Sequence, residues 1–383
     1  MRFLRVAVPL VLAGIAAVTL AAALPDTILA GDAEAYRARM AELFSGKVPY
    51  FEFPFEHLPG MLIPMSAAWL LGGWSGLSGY AFALAGISLI CLVATSLFLV
   101  QVEDEIDAEG LSVRWLLLTV PLLPFLLFRN DSWSVLLLVA GIWLAMAGRH
   151  IVSGVVVGLG VVSKLWPAVW AVPEWWQGKR AKAGFLVVMT IIGLAITFSP
   201  AVQSIQNPQG LHTETLMGSW FGLMRSATGA DLGLTNTAAV YIEAPSWAML
   251  VNLAVGLALG LWSLRRLKED FSWEGALLLT GALIGAGLIA SPFFSTQYVA
   301  WLAPFAAVNR KLTGPGLLIS LASLVLITTW FRLFDAEVWW WGMLLARNLA
   351  LVALVGGLIV VKSSSRGPLG RSSSNDLSVM GGP

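Results

Sequence analysis

Twelve apolar runs recur along this chain, and no soluble fold accommodates so many. They fall at about 6–24, 80–101, 115–128, 133–148, 151–163, 165–177, 184–203, 247–264, 275–290, 298–308, 315–331 and 342–361. Only 12% of the 383 residues are charged and 58% are apolar, against about 25% and about 45–50% in a soluble domain. Mean hydropathy is +0.80. Twenty-three basic and 22 acidic residues cannot coat the surface of a soluble protein this long, which excludes a soluble enzyme, a nucleic-acid binder and a disordered chain. The net charge of +1 advertises no acidic partner. Cys91 stands alone in an apolar run, so neither a disulfide framework nor a Cys-based metal site is available. The expected class is an all-α polytopic integral membrane protein whose first partner is the lipid bilayer, with a single domain at 1–362 and about 12 transmembrane helices. Several runs are shorter than the roughly 20 residues of a simple span. Such segments imply helices broken or tilted inside a protein-lined cavity.

Lys and Arg set the orientation. The basic connections are Arg2 with Arg5, Arg149, Lys179-Arg180 with Lys182, Arg265-Arg266 with Lys268, and Arg310-Lys311. Placed on the cytoplasmic side with Arg114, Lys362, Arg366 and Arg371, they account for 15 of the 23 basic residues. That is a positive-inside bias with both termini cytoplasmic. The polar loops at about 25–79 and 204–246 then lie outside. Parity requires that Gly60–Gly73 not cross; it reads as an interfacial helix with Trp69 and Trp74 as headgroup anchors. Parity also requires Lys164 to be a turning point between two short helices. The connection Val102–Arg114 carries five acids yet falls inside, and acids weigh little in the rule. The start has two readings. Two Arg, an apolar stretch and Ala21-Ala22-Ala23-Leu24 resemble a cleaved leader, whereas parity needs a first span. The Ser- and Gly-rich tail 363–383 is expected to be disordered.

Charge near a bilayer is costly, about 2.5–3.5 kcal/mol at a helix centre, so the polar residues beside the spans carry the information. Asp32 and Glu34 follow the first span and open Ala33–Ser45, where Tyr36, Met40, Leu43 and Phe44 mark an amphipathic surface helix. Asp32 serves there as a helix cap or as a functional carboxylate, and the roles are compatible. The stretch 49–59 places Glu52, Glu56 and His57 among aromatics. It reads as an interfacial belt, or as a Glu-His pair able to take a divalent cation. Arg129 and Asp131 flank Asn130 ahead of the span at 133 and read as an ion pair at a helix N-terminus or as site groups. Lys164 lies between apolar residues where snorkelling is difficult, and its functional reading is an anion partner such as a phosphate. His212 and Glu214 lie in the second outer loop, and Gln297 and Tyr298 follow the ninth span. No phosphate-binding Gly loop, nucleophile elbow or His-Glu-x-x-His occurs.

In this order the groups resemble the GT-C superfamily of membrane glycosyltransferases, and most nearly glycosyltransferase family 87, the polyprenol-phosphate-mannose-dependent mannosyltransferase type. That family shows an Asp soon after span one, matched by Asp32. Its Pro-Tyr-x-Asp-Phe-x-x-Glu-Tyr-Pro-Pro is matched by Pro49 to Pro59, with Glu52 for Asp and His57-Leu58 for Tyr-Pro. Its Arg-x-Asp is matched by Arg129 and Asp131, and its Gly-rich helix ending in Lys-x-x-Pro by Gly154–Pro167. Glu214-Thr215 loosely matches its Glu-Ser loop. Ser295, Gln297, Tyr298, Trp301 and Pro304 match its Ser-x-Gln-Tyr-x-x-Trp-x-x-Pro. The resemblance covers about residues 1–310.

It implies an enzyme that moves a hexose, mannose first, from a polyprenyl-phosphate donor to a lipid-linked or cell-envelope glycan acceptor at the outer face of the plasma membrane. Asp32 would be the general base. Lys164 and Arg129 would meet the phosphate. Glu34, Glu52, Glu56, His57, Asp131, His212, Glu214, Gln297 and Tyr298 would complete the substrate site. No cofactor is required, and a divalent cation is a possibility. Two other classes stand beside this one: a transporter or flippase, expected to repeat its halves and place charge at mid-membrane, and an O-antigen ligase or polymerase, expected to lean on Arg and His in its outer loops.

Overall fold

The computed structural model describes residues 2–23, 29–197, 211–236, 240–267 and 272–361. The tail at 363–383, Leu24 of the first apolar run, residues 25–28 and 204–210 of the outer loops and Lys268 lie outside the described residues. The described chain is mostly α-helical, and its helices include the apolar runs together with three others, at 29–44, 62–72 and 216–228. They begin with α1 (Arg2–Ala23), α2 (Leu29–Phe44), α3 (Leu62–Gly72) and α4 (Leu77–Ile106). A segment with a 3-10 turn at its centre follows, α5 (Leu111–Thr119) and α6 (Leu123–Phe128). Next come α7 (Asp131–Met146), α8 (His150–Val161), α9 (Ala171–Trp176) and α10 (Arg180–Thr197). After α11 (Leu216–Thr228) the chain continues as α12 (Ser246–Leu267), α13 (Trp273–Ala290), α14 (Ala303–Ala306), α15 (Arg310–Thr328) and α16 (Val338–Val360).

Among the described residues, six helical segments are long and apolar enough to cross a membrane: 77–106, 111–128, 246–266, 273–290, 310–328 and 338–360. Stretches 6–19, 131–146, 150–161 and 182–196 are apolar but shorter. The runs at 165–177 and 298–308 are shorter still. The first is a 3-10 turn at Trp166–Trp170 continued by α9, the second a 3-10 turn at Thr296–Trp301 continued by α14. Neither reaches the roughly 30 Å of a hydrocarbon core by itself.

One continuous apolar core runs between the long helices, with Trp115, Trp170, Leu122 and Phe305 fully buried. The thirty-residue α4 packs on α1, α3 and α7. The acidic connection after it proves structural at one position. Glu103 accepts from Gly110 N (2.8 Å), Ser112 N (3.0 Å) and Ser112 Oγ (2.6 Å) and so caps the start of α5.

A second apolar cluster lies under residues 29–79. Of the stripe expected of α2, Tyr36 and Met40 are buried, with Ala33 beside them, against Phe53, Phe55, Met61, Met65, Tyr80 and Leu84; Leu43 packs at its edge and Phe44 is exposed. The two anchors expected on 60–73 divide. Trp74 is 78% exposed, whereas Trp69 stacks on Phe44 at 5.7 Å and lies under the Arg37 guanidinium. Trp69 therefore fastens α3 to α2, because α2 lies across it.

Between 211 and 242 the chain adds a small sheet to a fold otherwise consistent with the all-α expectation. It holds β1 (Leu211–His212), β2 (Leu234–Asn236) and β3 (Val240–Ile242) in the antiparallel order β1-β3-β2, with Leu211 opposite Ile242 and Thr235 opposite Tyr241. Strands this short leave no alternation to read in a sequence.

Gly60 brings the two halves of the future site together. Its N–H donates to Val162 O at 2.7 Å. A Cβ there would lie 2.8 Å from Ser163 N and closer still to Ser163 Oγ. Gly60→Ala must therefore push the loop that carries it off the end of α8, beside Lys164. An overpacking loss of about 1–3 kcal/mol is expected, read as a fall in melting temperature. Gly86→Ala, where nothing lies within 4 Å of the added Cβ, should show no such fall.

Candidate functional site

Asp32 sits in the first turn of α2, four residues before the buried Tyr36 and so on the same face. It forms an ion pair with Nε of Arg129. Arg129 ends α6 in extended conformation (φ −130°, ψ 153°). Its Nη1 donates to Ser295 Oγ at 3.2 Å and to Gln297 Oε1. Burial is the largest single influence and works against the guanidinium charge, but Asp32, Tyr36, Asp131 and Glu214 together outweigh it and hold the group above its ordinary range.

The sequence suggested pairing Arg129 with Asp131. The structure separates them. Asp131 opens α7, only 1% exposed, and accepts from Lys164 Nζ at 2.6 Å and from Trp301 Nε1 at 2.8 Å. Lys164 lies in the turn after α8, with Nζ 5.4 Å from the ring centres of both Tyr298 and Trp301. It need not snorkel, because a buried carboxylate meets it from the adjacent helix. Tyr298 stacks on Trp301 at 4.2 Å, and Trp301 on Trp166 at 4.9 Å.

A third pair ties the loop at Glu214 to α16. Glu214 meets Arg347 Nη1 at 3.3 Å. Arg347, 2% exposed on α16, also donates to Thr296 Oγ1 (2.7 Å), Glu214 O (3.1 Å) and Asn348 Oδ1 (2.8 Å). Asn348 Nδ2 donates to Glu214 O, Thr215 O and Ser219 Oγ. His212 is buried between Tyr241 and Phe293, its Nδ1 accepting from Glu214 N. Burial pushes its imidazole down to about 4, so it is neutral near pH 7.

The segment Ser295–Trp301 touches all three pairs. Ser295 and Gln297 reach Arg129, Thr296 reaches Glu214 and Arg347, and Tyr298 and Trp301 reach Lys164 or Asp131. The structure thus brings together Asp32, Arg129, Asp131, Lys164, Gln297 and Tyr298, with Glu214 and His212 on the far side of the same segment. Three expected members stand apart. Glu34 is exposed on α2. Glu52 is exposed and accepts from Val48 N at 2.6 Å, which closes its own turn. Glu56 pairs with Arg39 at 3.0 Å. The Glu-His reading of a divalent-cation site fits poorly for that reason, and among the described residues no three His, Cys, Asp or Glu side chains gather.

His57 is held edge-on by Tyr36 (5.0 Å) and Phe55 (5.7 Å). Burial lowers its pKa, Glu56 opposes the shift and Lys164 adds to it. Arg347 and Asn348 were missed as site residues. The signal was present: Arg347 is the single charge in the 23 residues of α16, and a lone intramembrane cation calls for a partner.

Chemically, each cation of the cluster already holds a carboxylate. An anion arriving at Arg129 competes with Asp32 and releases it. No protein-family model matches the chain, and no curated protein is significantly similar to it.

Proposed function

We propose that this protein is an inverting membrane glycosyltransferase that moves a hexose, mannose first, from a polyprenyl-phosphate donor to a glycan or glycolipid acceptor. The observation that carries the reading is the double engagement of Arg129, which holds the Asp32 carboxylate on one side and the Gln297 amide on the other. A donor phosphate at Arg129 takes the place of Asp32. The freed carboxylate then accepts the proton of the acceptor hydroxyl. The acceptor oxygen bonds to the anomeric carbon as the bond from that carbon to the phosphate oxygen breaks. The electron pair leaves with the phosphate monoester, whose charge Arg129 and Lys164 stabilise. One displacement inverts the centre, so a β-linked donor yields an α-linked product.

In this reading the twelve apolar runs carry the chain across the plasma membrane twelve times, with both termini cytoplasmic. The short segments 165–177 and 298–308 cross inside a protein-lined cavity, and the site faces outward.

The test is transfer by the purified protein from radiolabelled polyprenyl-phosphate mannose to a cell-envelope lipid and glycan extract. Labelled product with inverted anomeric configuration is expected. Asp32→Asn should lower turnover about 100-fold or more in a well-folded sample. Full activity of that variant leaves Asp32 a structural partner of Arg129. Labelled lipid that crosses a vesicle without transfer indicates a flippase instead. Joining of whole preformed glycans indicates a ligase.

A further inference from the structure

The charged groups of the outer cluster are matched, yet neutral polar atoms beside them are not. His57 Nε2, both amide atoms of Asn130 and Trp166 Nε1 are buried with no hydrogen-bond partner among the described residues. The three residues flank the same core. Asn130 lies between Arg129 and Asp131 and is 2% exposed. Trp166 stacks on Trp301, which donates to Asp131. His57 packs on Tyr36, one turn from Asp32, within electrostatic reach of Asp32, Asp131 and Lys164.

His57 is the most telling of the three. A phenylalanine would make the same edge contacts with Tyr36 and Phe55 and bury no polar atom. An unmet buried nitrogen costs free energy that a partner group must return. Since burial keeps the imidazole neutral, it is poorly suited to a phosphate and well suited to a hydroxyl, to which it can donate or from which it can accept.

We infer that His57, together with Asn130 and Trp166 around the same charged core, forms a hydroxyl-recognition subsite for a sugar ring, next to the cationic pair that meets the phosphate. The inference rests on the glycosyltransferase reading for the identity of the sugar. The subsite itself is defined by unmet neutral polar atoms around a charge-balanced core, and a sugar supplies hydroxyls to several of them at once. The ring belongs either to the donor or to the acceptor.

His57→Phe and His57→Gln separate the alternatives. Expected for His57→Phe is a melting temperature equal to or above that of the wild type. Its binding of plain polyprenyl phosphate, which has no sugar, should stay within about twofold of the wild type. One KM should rise about tenfold or more: that for polyprenyl-phosphate mannose if the ring is the donor's, or that for octyl mannoside as acceptor if it is the acceptor's. His57→Gln, which keeps an N–H and an acceptor, should recover part of the loss.

The inference is overturned if His57→Phe leaves both KM values within twofold. It is also overturned if stability and every kinetic parameter fall together, as a packing residue would show. A thermal-shift arm needs no turnover. It compares the stabilisation of wild type and His57→Phe by polyprenyl-phosphate mannose, plain polyprenyl phosphate and octyl mannoside. A sugar-dependent shift lost in His57→Phe upholds hydroxyl recognition even where transfer is absent and the enzymatic reading fails. Equal shifts in the two proteins overturn it.

Discussion

Lys164→Met is expected to destabilise the protein by about 3–5 kcal/mol, the loss that follows when one partner of a buried ion pair is removed. A lysine flanked by apolar residues suggests the opposite sign, since deleting an unpaired buried charge relieves desolvation. The structure reverses that expectation. Lys164 Nζ is 2.6 Å from an Asp131 carboxylate that is 1% exposed, and removing the ammonium strands that carboxylate. Trp301 Nε1 remains as its one neutral donor. Lys164→Met combined with Asp131→Leu should recover most of the loss in a thermal melt. A single variant that melts with the wild type would show that the pair carries no net stability. Function separates from stability in the same pair of proteins. If Lys164 meets the donor phosphate, the double variant should be stable yet poor in kcat/KM for polyprenyl-phosphate mannose. Lys164→Arg should lie between, because a planar fork replaces a point charge.

Arg347→Met should cost a similar amount, about 3–5 kcal/mol, and for more reasons. The guanidinium is 2% exposed and serves Glu214, Thr296 and Asn348 at once. Its removal strands the Glu214 carboxylate and takes a donor from the Glu214 carbonyl. The segment Ser295–Trp301 would lose its Thr296 bond to α16, and the loop at Glu214 would be left with the bonds from Asn348. Arg347→Lys keeps the charge but cannot span three acceptors with a fixed fork, so it should regain only part of the stability. The measurement is the apparent melting temperature of the single variants and of Arg347→Met with Glu214→Leu. A melt unchanged in Arg347→Met would remove the residue from the architecture proposed here. Transfer activity should fall with stability in this series, since Arg347 positions Gln297 and Tyr298 through Thr296 and touches no reacting atom.

Much of this molecule is legible in its sequence, because hydropathy is a local property. Each apolar run corresponds to a helix or a short helical segment in its described residues, and of the stripe Tyr36, Met40, Leu43, Phe44 the first two face inward as their spacing requires. The turn at Lys164 between two short segments was readable too, since neither side is long enough to span alone. Charged residues beside apolar runs marked the candidate site for the same local reason, their cost in a bilayer.

Which charge meets which was decided only by the tertiary structure. Arg129 and Asp131 are two residues apart and look like a pair. The extended residue at 129 and the helix start at 131 send their side chains to different neighbours, Asp32 on α2 and Lys164 after α8. Residues two apart at a helix start do not face one another. Nor could the chain's order show that Ser295–Trp301 joins all three pairs, since its partners lie as much as 170 residues away along the chain. Pairing energy depends on distance through space, and a sequence records only distance along the chain.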